Sequence, residues 1–158
     1  MIVVFVESWN NQFKKASFEA VSYAHSWANT AGCGVRAITS ASAENANQLG
    51  QYGADEIATL ELAKTGAGIG AQLANLVGDA QGVVVAGTAM GKIIAPTLAA
   101  LSNGALSTNT TNTPSSASPV IVERGAFSSK GIETISLNNG LPIISFVPNA
   151  IGIKEEAG

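Results

Sequence analysis

The stretch VVVAGTAMGKIIAP, residues 83–96, decides the fold because it joins an apolar strand to a helix through a glycine turn. Residues 82–86 predict a buried strand, and residues 94–101 predict the helix that follows, with Leu101 facing inward. Pro96 is expected in the first turn of that helix, where a missing N–H costs least. A strand, a tight turn and a helix in this order form the repeating unit of α/β proteins.

The same alternation of strand and helix extends over the chain before this stretch. Further strands are predicted at residues 2–6, 35–39 and 55–60. Apolar residues at three- and four-residue steps predict a helix over residues 13–31, and a short helix is predicted at 43–52. The glycine-rich residues 64–70 are predicted to form a loop before a helix face containing Leu73. Together these elements predict an α/β three-layer sandwich with a mainly parallel sheet and right-handed crossovers.

The alternation of strand and helix ends in the last third of the chain. Residues 108–119, TNTTNTPSSASP, are polar and of low complexity, which predicts an exposed loop. Residues 120–123 and 131–137 are predicted to be strands separated by a break at 125–130, and therefore an antiparallel pair. A last strand is predicted at residues 143–147. The sheet is thus expected to gain late antiparallel strands.

Composition excludes several classes of protein. The chain has 158 residues, which predicts one domain, and its net charge of −3 provides no basic surface for nucleic acid or anionic membranes. The apolar runs are too short to span a bilayer, and no basic segment precedes the first strand, so neither membrane insertion nor a signal peptide is expected. The single cysteine, Cys33, cannot form an internal disulfide, which favours a cytoplasmic location.

The glycine turn does not match either common phosphate-binding motif. A Walker A loop has four residues between its first glycine and the Gly-Lys pair, whereas only three separate Gly87 from Gly91. Ile93 follows Lys92 where that loop needs a magnesium-binding hydroxyl. The glycine spacing of a dinucleotide-binding fingerprint is absent too. The glycines therefore favour an architectural turn.

A weaker anion or nucleotide site remains open as an alternative. A helix that begins at the carboxyl end of a strand attracts anions through its N–H groups and its dipole. Functional groups of α/β folds also gather where strands end. The residues that would line a pocket between the first and fourth strands are Glu7, Gly87, Thr88, Gly91 and Lys92.

No set of catalytic residues emerges from the sequence. His25 is the only histidine, and it is expected at the edge of the first helix and not in a metal site. Cys33 lies between two glycines with no histidine near it in sequence, whereas a catalytic thiol needs an activating partner. The chain is therefore predicted not to be an enzyme, with no catalytic residues and no metal ligands.

The order of five segments resembles the N-terminal domain of the electron transfer flavoprotein alpha subunit. The segments are FVESWNNQFKKASFEAVSYA (5–24), QLGQYGADEIATL (48–60), VVVAGTAMGKIIAPTLAALSNGALST (83–108), RGAFSSKGIETISL (124–137) and IISFVPNAIGI (143–153). The resemblance covers essentially the whole chain. It implies an adenine-nucleotide alpha hydrolase-like (Rossmann-like) fold, related also to universal stress proteins.

The resemblance also implies a function. The alpha subunit pairs with a beta subunit, and the heterodimer carries one FAD that shuttles electrons from dehydrogenases to an acceptor oxidoreductase. In that family FAD is held mainly by a C-terminal alpha domain that is absent here, so this chain is expected not to bind FAD alone. Residues 1–153 would be a scaffold and interface domain, and residues 154–158 the start of a linker or tail. The alternative is a stand-alone AMP- or ATP-binding module of the universal stress protein type.

Overall fold

A computed structural model describes residues 1–126 and 131–153, with the backbone alone at residue 126. Most of the predicted break at 125–130 and the whole predicted tail at 154–158 therefore lie outside the described residues. The helices are α1 Lys15–Ala31, α2 Gly66–Ala74 and α3 Gly91–Ser102, with a short 3-10 helix at Ala46–Tyr52. The strands are β1 Ile2–Phe5, β2 Val35–Ser40, β3 Glu56–Leu60, β4 Gly82–Ala86, β5 Gly104–Thr110, β6 Ser116–Ala117, β7 Val120–Ala126, β8 Gly131–Leu137 and β9 Leu141–Phe146.

Within the described residues, nine strands form one mixed sheet. Six of them are parallel and follow the order β3-β2-β1-β4-β9-β5. β7 then pairs antiparallel with β5, β6 and β8. This arrangement confirms the predicted α/β fold class with a mainly parallel sheet and late antiparallel strands.

Two apolar cores cover the two faces of the parallel sheet, which gives three layers. Successive strand residues point to opposite faces, so Val4 and Val84 pack with α1 while Val3 and Val83 pack with α2 and α3. Trp27 of α1 is 1% exposed and fills the first core. These strands read as continuous apolar runs because helices cover both of their faces.

The predicted loop at residues 64–70 is partly wrong, because α2 already begins at Gly66. The hydroxyl of Thr65 accepts a hydrogen bond from the Gly68 amide at 3.0 Å and caps the helix. Leu73 is buried against the sheet, as predicted, and Ile69 is buried beside it. Glycine disfavours helix by about 1 kcal/mol per residue, and here the burial of that apolar face outweighs the local preference.

The predicted loop at residues 108–119 is also partly wrong. β5 runs on to Thr110 and lies parallel to β9, and β6 falls within the same polar stretch. Ser107 and Thr110 are buried, and their hydroxyls hydrogen-bond to each other at 2.8 Å. This strand escaped prediction because its buried positions are hydroxyl residues that satisfy one another and not apolar side chains.

Three smaller predictions about the helices also need correction. α3 begins at Gly91, so Pro96 lies beyond its first turn. Leu101 is 60% exposed and does not face the core. The helix predicted at 43–52 is a 3-10 helix that begins only at Ala46. The two boundary errors arise because residue pattern locates the ends of an element less well than it locates the element itself.

Candidate functional site

The candidate site lies at the carboxyl edge of the sheet, between β1 and β4. Neighbouring strands here lead to opposite faces, because β1 is followed by α1 on one face and β4 by α3 on the other. Such a switch point leaves a crevice, which is where open α/β sheets bind ligands. Glu7 follows β1 and Gly87 follows β4, so the topology brings two of the predicted site residues to this crevice.

A hydrogen-bond chain joins Glu7 to the start of α3. The Thr88 hydroxyl donates to Glu7 Oε1 at 2.6 Å and accepts from the Gly91 amide at 3.0 Å. The Lys92 amide donates to the main-chain carbonyl of Thr88 at 2.9 Å. Thr88 therefore acts as the helix cap, and the Glu7 carboxylate lies beside the positive end of the helix dipole. An internal hydroxyl thus occupies the Gly91 amide, which would otherwise be free to face an anion, while the Lys92 amide makes an ordinary helical bond.

The two glycines of the turn bring backbones into close approach. A Cβ on Gly91 would lie 1.9 Å from the carbonyl oxygen of Ala86, the last residue of β4. A Cβ on Gly87 would lie 2.7 Å from the carbonyl oxygen of Phe146, which accepts a hydrogen bond from the Gly87 amide at 2.8 Å. Both glycines therefore hold α3 and β9 against the end of β4, as the architectural interpretation predicts.

Three of the five predicted site residues border cavities, and these cavities are two different ones. Glu7 lines one of about 230 Å3, together with Ser40, Ser42 and Met90. Gly87 and Lys92 line another of about 90 Å3. Lys92 itself is exposed. Lys92 and Glu7 thus line two separate cavities at the carboxyl edge of the sheet. Thr88 and Gly91 connect Glu7 to α3 through hydrogen bonds.

A tight turn next to Glu7 was missed by the site prediction. Trp9 and Gln12 exchange backbone hydrogen bonds of 2.8 and 2.9 Å around Asn10 and Asn11. Both asparagines have positive φ, 50° and 65°, and both line the 230 Å3 cavity. The signal in the sequence is the Asn-Asn pair, since asparagine tolerates this backbone conformation better than most residues.

Contacts at the start of α1 hold this turn in place. Lys14 Nζ lies 5.2 Å from the centre of the Trp9 ring, a cation–π contact. The Ser17 hydroxyl donates to the main-chain carbonyl of Glu7 at 2.7 Å and accepts from the Lys14 amide at 3.0 Å. Lys14, immediately before α1, therefore packs on the turn.

Tyr23 joins α1 to β9 and to the segment between β5 and β6. Its ring stacks on Phe146 with centroids 5.1 Å apart, and its hydroxyl donates to the main-chain carbonyl of Asn112 at 2.6 Å. Burial raises the pKa of the Tyr23 phenol above its ordinary value, because the phenolate would be poorly solvated there. The phenol is thus a fixed hydrogen-bond donor at neutral pH.

The remaining candidates lie apart from this edge. His25 Nε2 is 3.3 Å from Asn29 Nδ2, one helical turn away, and its ring packs against Gly53. Cys33 is partly buried after the end of α1. Over residues 1–126 and 131–153, no group of three or more His, Cys, Asp or Glu side chains is placed to hold a metal ion.

Comparison with known families places the chain among flavoprotein domains. The sequence model of the family described as the electron transfer flavoprotein domain matches residues 2–158. A comparison with curated proteins finds no significant match. Among the helices in the described part of the chain, none is both long and apolar enough to cross a bilayer.

Proposed function

Since the chain belongs to the electron transfer flavoprotein domain family, we propose that it is the N-terminal domain of an alpha-type subunit. In this proposal it serves as a scaffold and interface that pairs with a beta subunit. The assembled heterodimer carries FAD and passes electrons from dehydrogenases to an acceptor oxidoreductase. The domain itself catalyses no reaction and supports the cofactor indirectly, through packing.

The observation that carries this proposal is the closed start of α3. A phosphate-binding turn presents free amides and no negative charge to its ligand. Here the Thr88 hydroxyl caps the Gly91 amide while it donates to the Glu7 carboxylate, 2.6 Å away. An incoming pyrophosphate would meet a carboxylate of the same sign. The turn is therefore built to join layers of the fold.

Neither of two cavities at the edges of the sheet fits FAD. Pockets for drug-sized ligands, which are smaller than FAD, measure about 300–1,000 Å3, whereas the cavity beside Glu7 measures about 230 Å3. A cavity of about 420 Å3 at the opposite edge, between Ala74 and Pro142, has no charged side chain in its lining to receive a pyrophosphate. This misfit supports a flavin held by another domain of the assembly.

Differential scanning fluorimetry with FAD tests the proposal. A ligand at a hundredfold its Kd adds about 2.7 kcal/mol to the free energy of unfolding. We expect no rise in the melting temperature with saturating FAD. A dose-dependent rise, lost in Lys92→Ala but kept in the exposed control Lys64→Ala, would refute the scaffold role and indicate a flavin site at the carboxyl edge.

One observation favours the second candidate, a stand-alone AMP- or ATP-binding module. The 230 Å3 cavity at the switch point combines the Glu7 carboxylate with Asn10, Asn11, Ser40 and Ser42, and carboxylates at such edges accept hydrogen bonds from ribose hydroxyls. The same melting assay with AMP, ADP and ATP distinguishes the two. The scaffold proposal predicts no shift, whereas a shift abolished by Glu7→Gln would favour the nucleotide module.

A further inference from the structure

Glu19, in the second turn of α1, is a buried carboxylate on the side of the helix that meets the segment after β9. Its side chain is 0% exposed. Carboxylates are almost never fully buried unless their oxygens are paired. The candidate site at the carboxyl edge makes no use of this residue, so its burial calls for its own explanation.

Three backbone amides satisfy this carboxylate. Oε1 accepts from the Asn149 amide at 2.7 Å, and Oε2 accepts from the amides of Ile151 at 3.2 Å and Gly152 at 3.0 Å. Asn149 and Gly152 both adopt positive φ, 72° and 85°. Converging amides of this kind form a concave anion-binding nest. Here the bound anion is a side chain of the same chain.

The same helix also holds the end of β9. Tyr23, one turn after Glu19, stacks on Phe146, the last residue of that strand. Between these two contacts lie Val147 and Pro148, which line the 90 Å3 cavity with Lys92. Tyr23 and Glu19 of α1 thus hold the chain immediately before and after residues 147–148, which form one wall of that cavity.

We propose that Glu19 is a positioning residue that anchors residues 149–152 to α1. Its three hydrogen bonds fix the course of the chain as it leaves β9, and they keep Val147 and Pro148 in place as the cavity wall. Without the carboxylate, the three amides lose their common acceptor. Residues 149–152 then adopt several conformations detached from α1. This inference is independent of the proposed function.

Amide hydrogen exchange of the whole chain tests the proposal. Glu19→Gln replaces one accepting oxygen by an NH2 group, which cannot accept the bonds, and Glu19→Asp keeps the charge but shortens its reach. Hydrogen bonds to charged acceptors are the strong ones, so we expect exchange at residues 149, 151 and 152 to speed up on the order of tenfold or more in both variants. The exposed Glu44→Gln makes the same charge change as Glu19→Gln and should leave these amides unaltered.

The exchange of the core strands separates anchoring from general destabilisation. Anchoring predicts that the loss of protection at 149–152 exceeds any loss in β1 and β4. An equal loss across the chain would overturn the proposal. The wild-type protein provides a test that needs no variant, because amides 149, 151 and 152 must be protected, and exchange at unprotected rates there would overturn the proposal as well.

Discussion

Replacing Gly91 by alanine tests the architectural role of the glycine turn. A Cβ at this position would lie 1.9 Å from the Ala86 carbonyl oxygen, whereas real Cβ atoms essentially never come within 3.0 Å of a neighbour. The obstacle is backbone at the end of a buried central strand, so α3 must retreat by about 1 Å, and overpacking of this kind costs about 1–3 kcal/mol or more. The better helix propensity of alanine returns up to about 1 kcal/mol.

We therefore expect Gly91→Ala to lower the free energy of unfolding by about 2 kcal/mol. With a urea m-value of about 2 kcal/mol/M, the unfolding midpoint falls by about 1 M with m unchanged. Gly78→Ala is the matched control, because a Cβ there meets nothing within 4 Å, and it should stay within about 0.5 kcal/mol of wild type. Equal stability of the two variants would refute the close-approach reasoning.

Three further predictions address single contacts and use the same urea titration. Thr88→Val removes the bonds to Glu7 and the Gly91 amide and should cost about 1–2 kcal/mol, since water can reach this partly buried site; an unchanged midpoint would contradict the capping role. Tyr23→Phe keeps the stack on Phe146 but loses the bond to Asn112, at about 1 kcal/mol. Because the folded pKa of Tyr23 is raised above its ordinary value of 10.0, its stabilisation is complete below pH 10 and is lost as pH rises further, so wild type should lose stability above pH 10 more steeply than Tyr23→Phe. Leu73→Ala, at a fully buried position, should cost about 2–5 kcal/mol, and a loss below 1 kcal/mol would argue against a packed α2.

Most of the parallel sheet could be predicted because its strands are buried on both faces. Residues 82–86 match β4, and the runs at 2–6 and 35–39 match β1 and β2 to within one residue. β5 could not be predicted in this way, since Ser107 and Thr110 bury hydroxyls that satisfy each other. Apolar patterning detects burial driven by the hydrophobic effect and misses burial balanced by hydrogen bonds.

The candidate site was predictable in position but not in its connections. Strand ends indicate Glu7 and Gly87, because parallel strands end at one edge. The bond from Thr88 to Glu7 joins residues 81 positions apart in sequence, and only the three-dimensional structure shows it. Glu19 was missed for a related reason. A carboxylate in a helix is normally solvated, and the backbone amides that donate to Glu19 lie more than 100 residues further along the chain.

The visible absorption spectrum of the purified chain, after incubation with excess FAD and exhaustive dialysis, tests the central claim most directly. A scaffold whose glycine turn is closed by Thr88 and Glu7 should retain no flavin, and its spectrum should show protein absorbance alone. A flavin band that persists in near-stoichiometric amount would contradict the account, since it would place the cofactor on this domain.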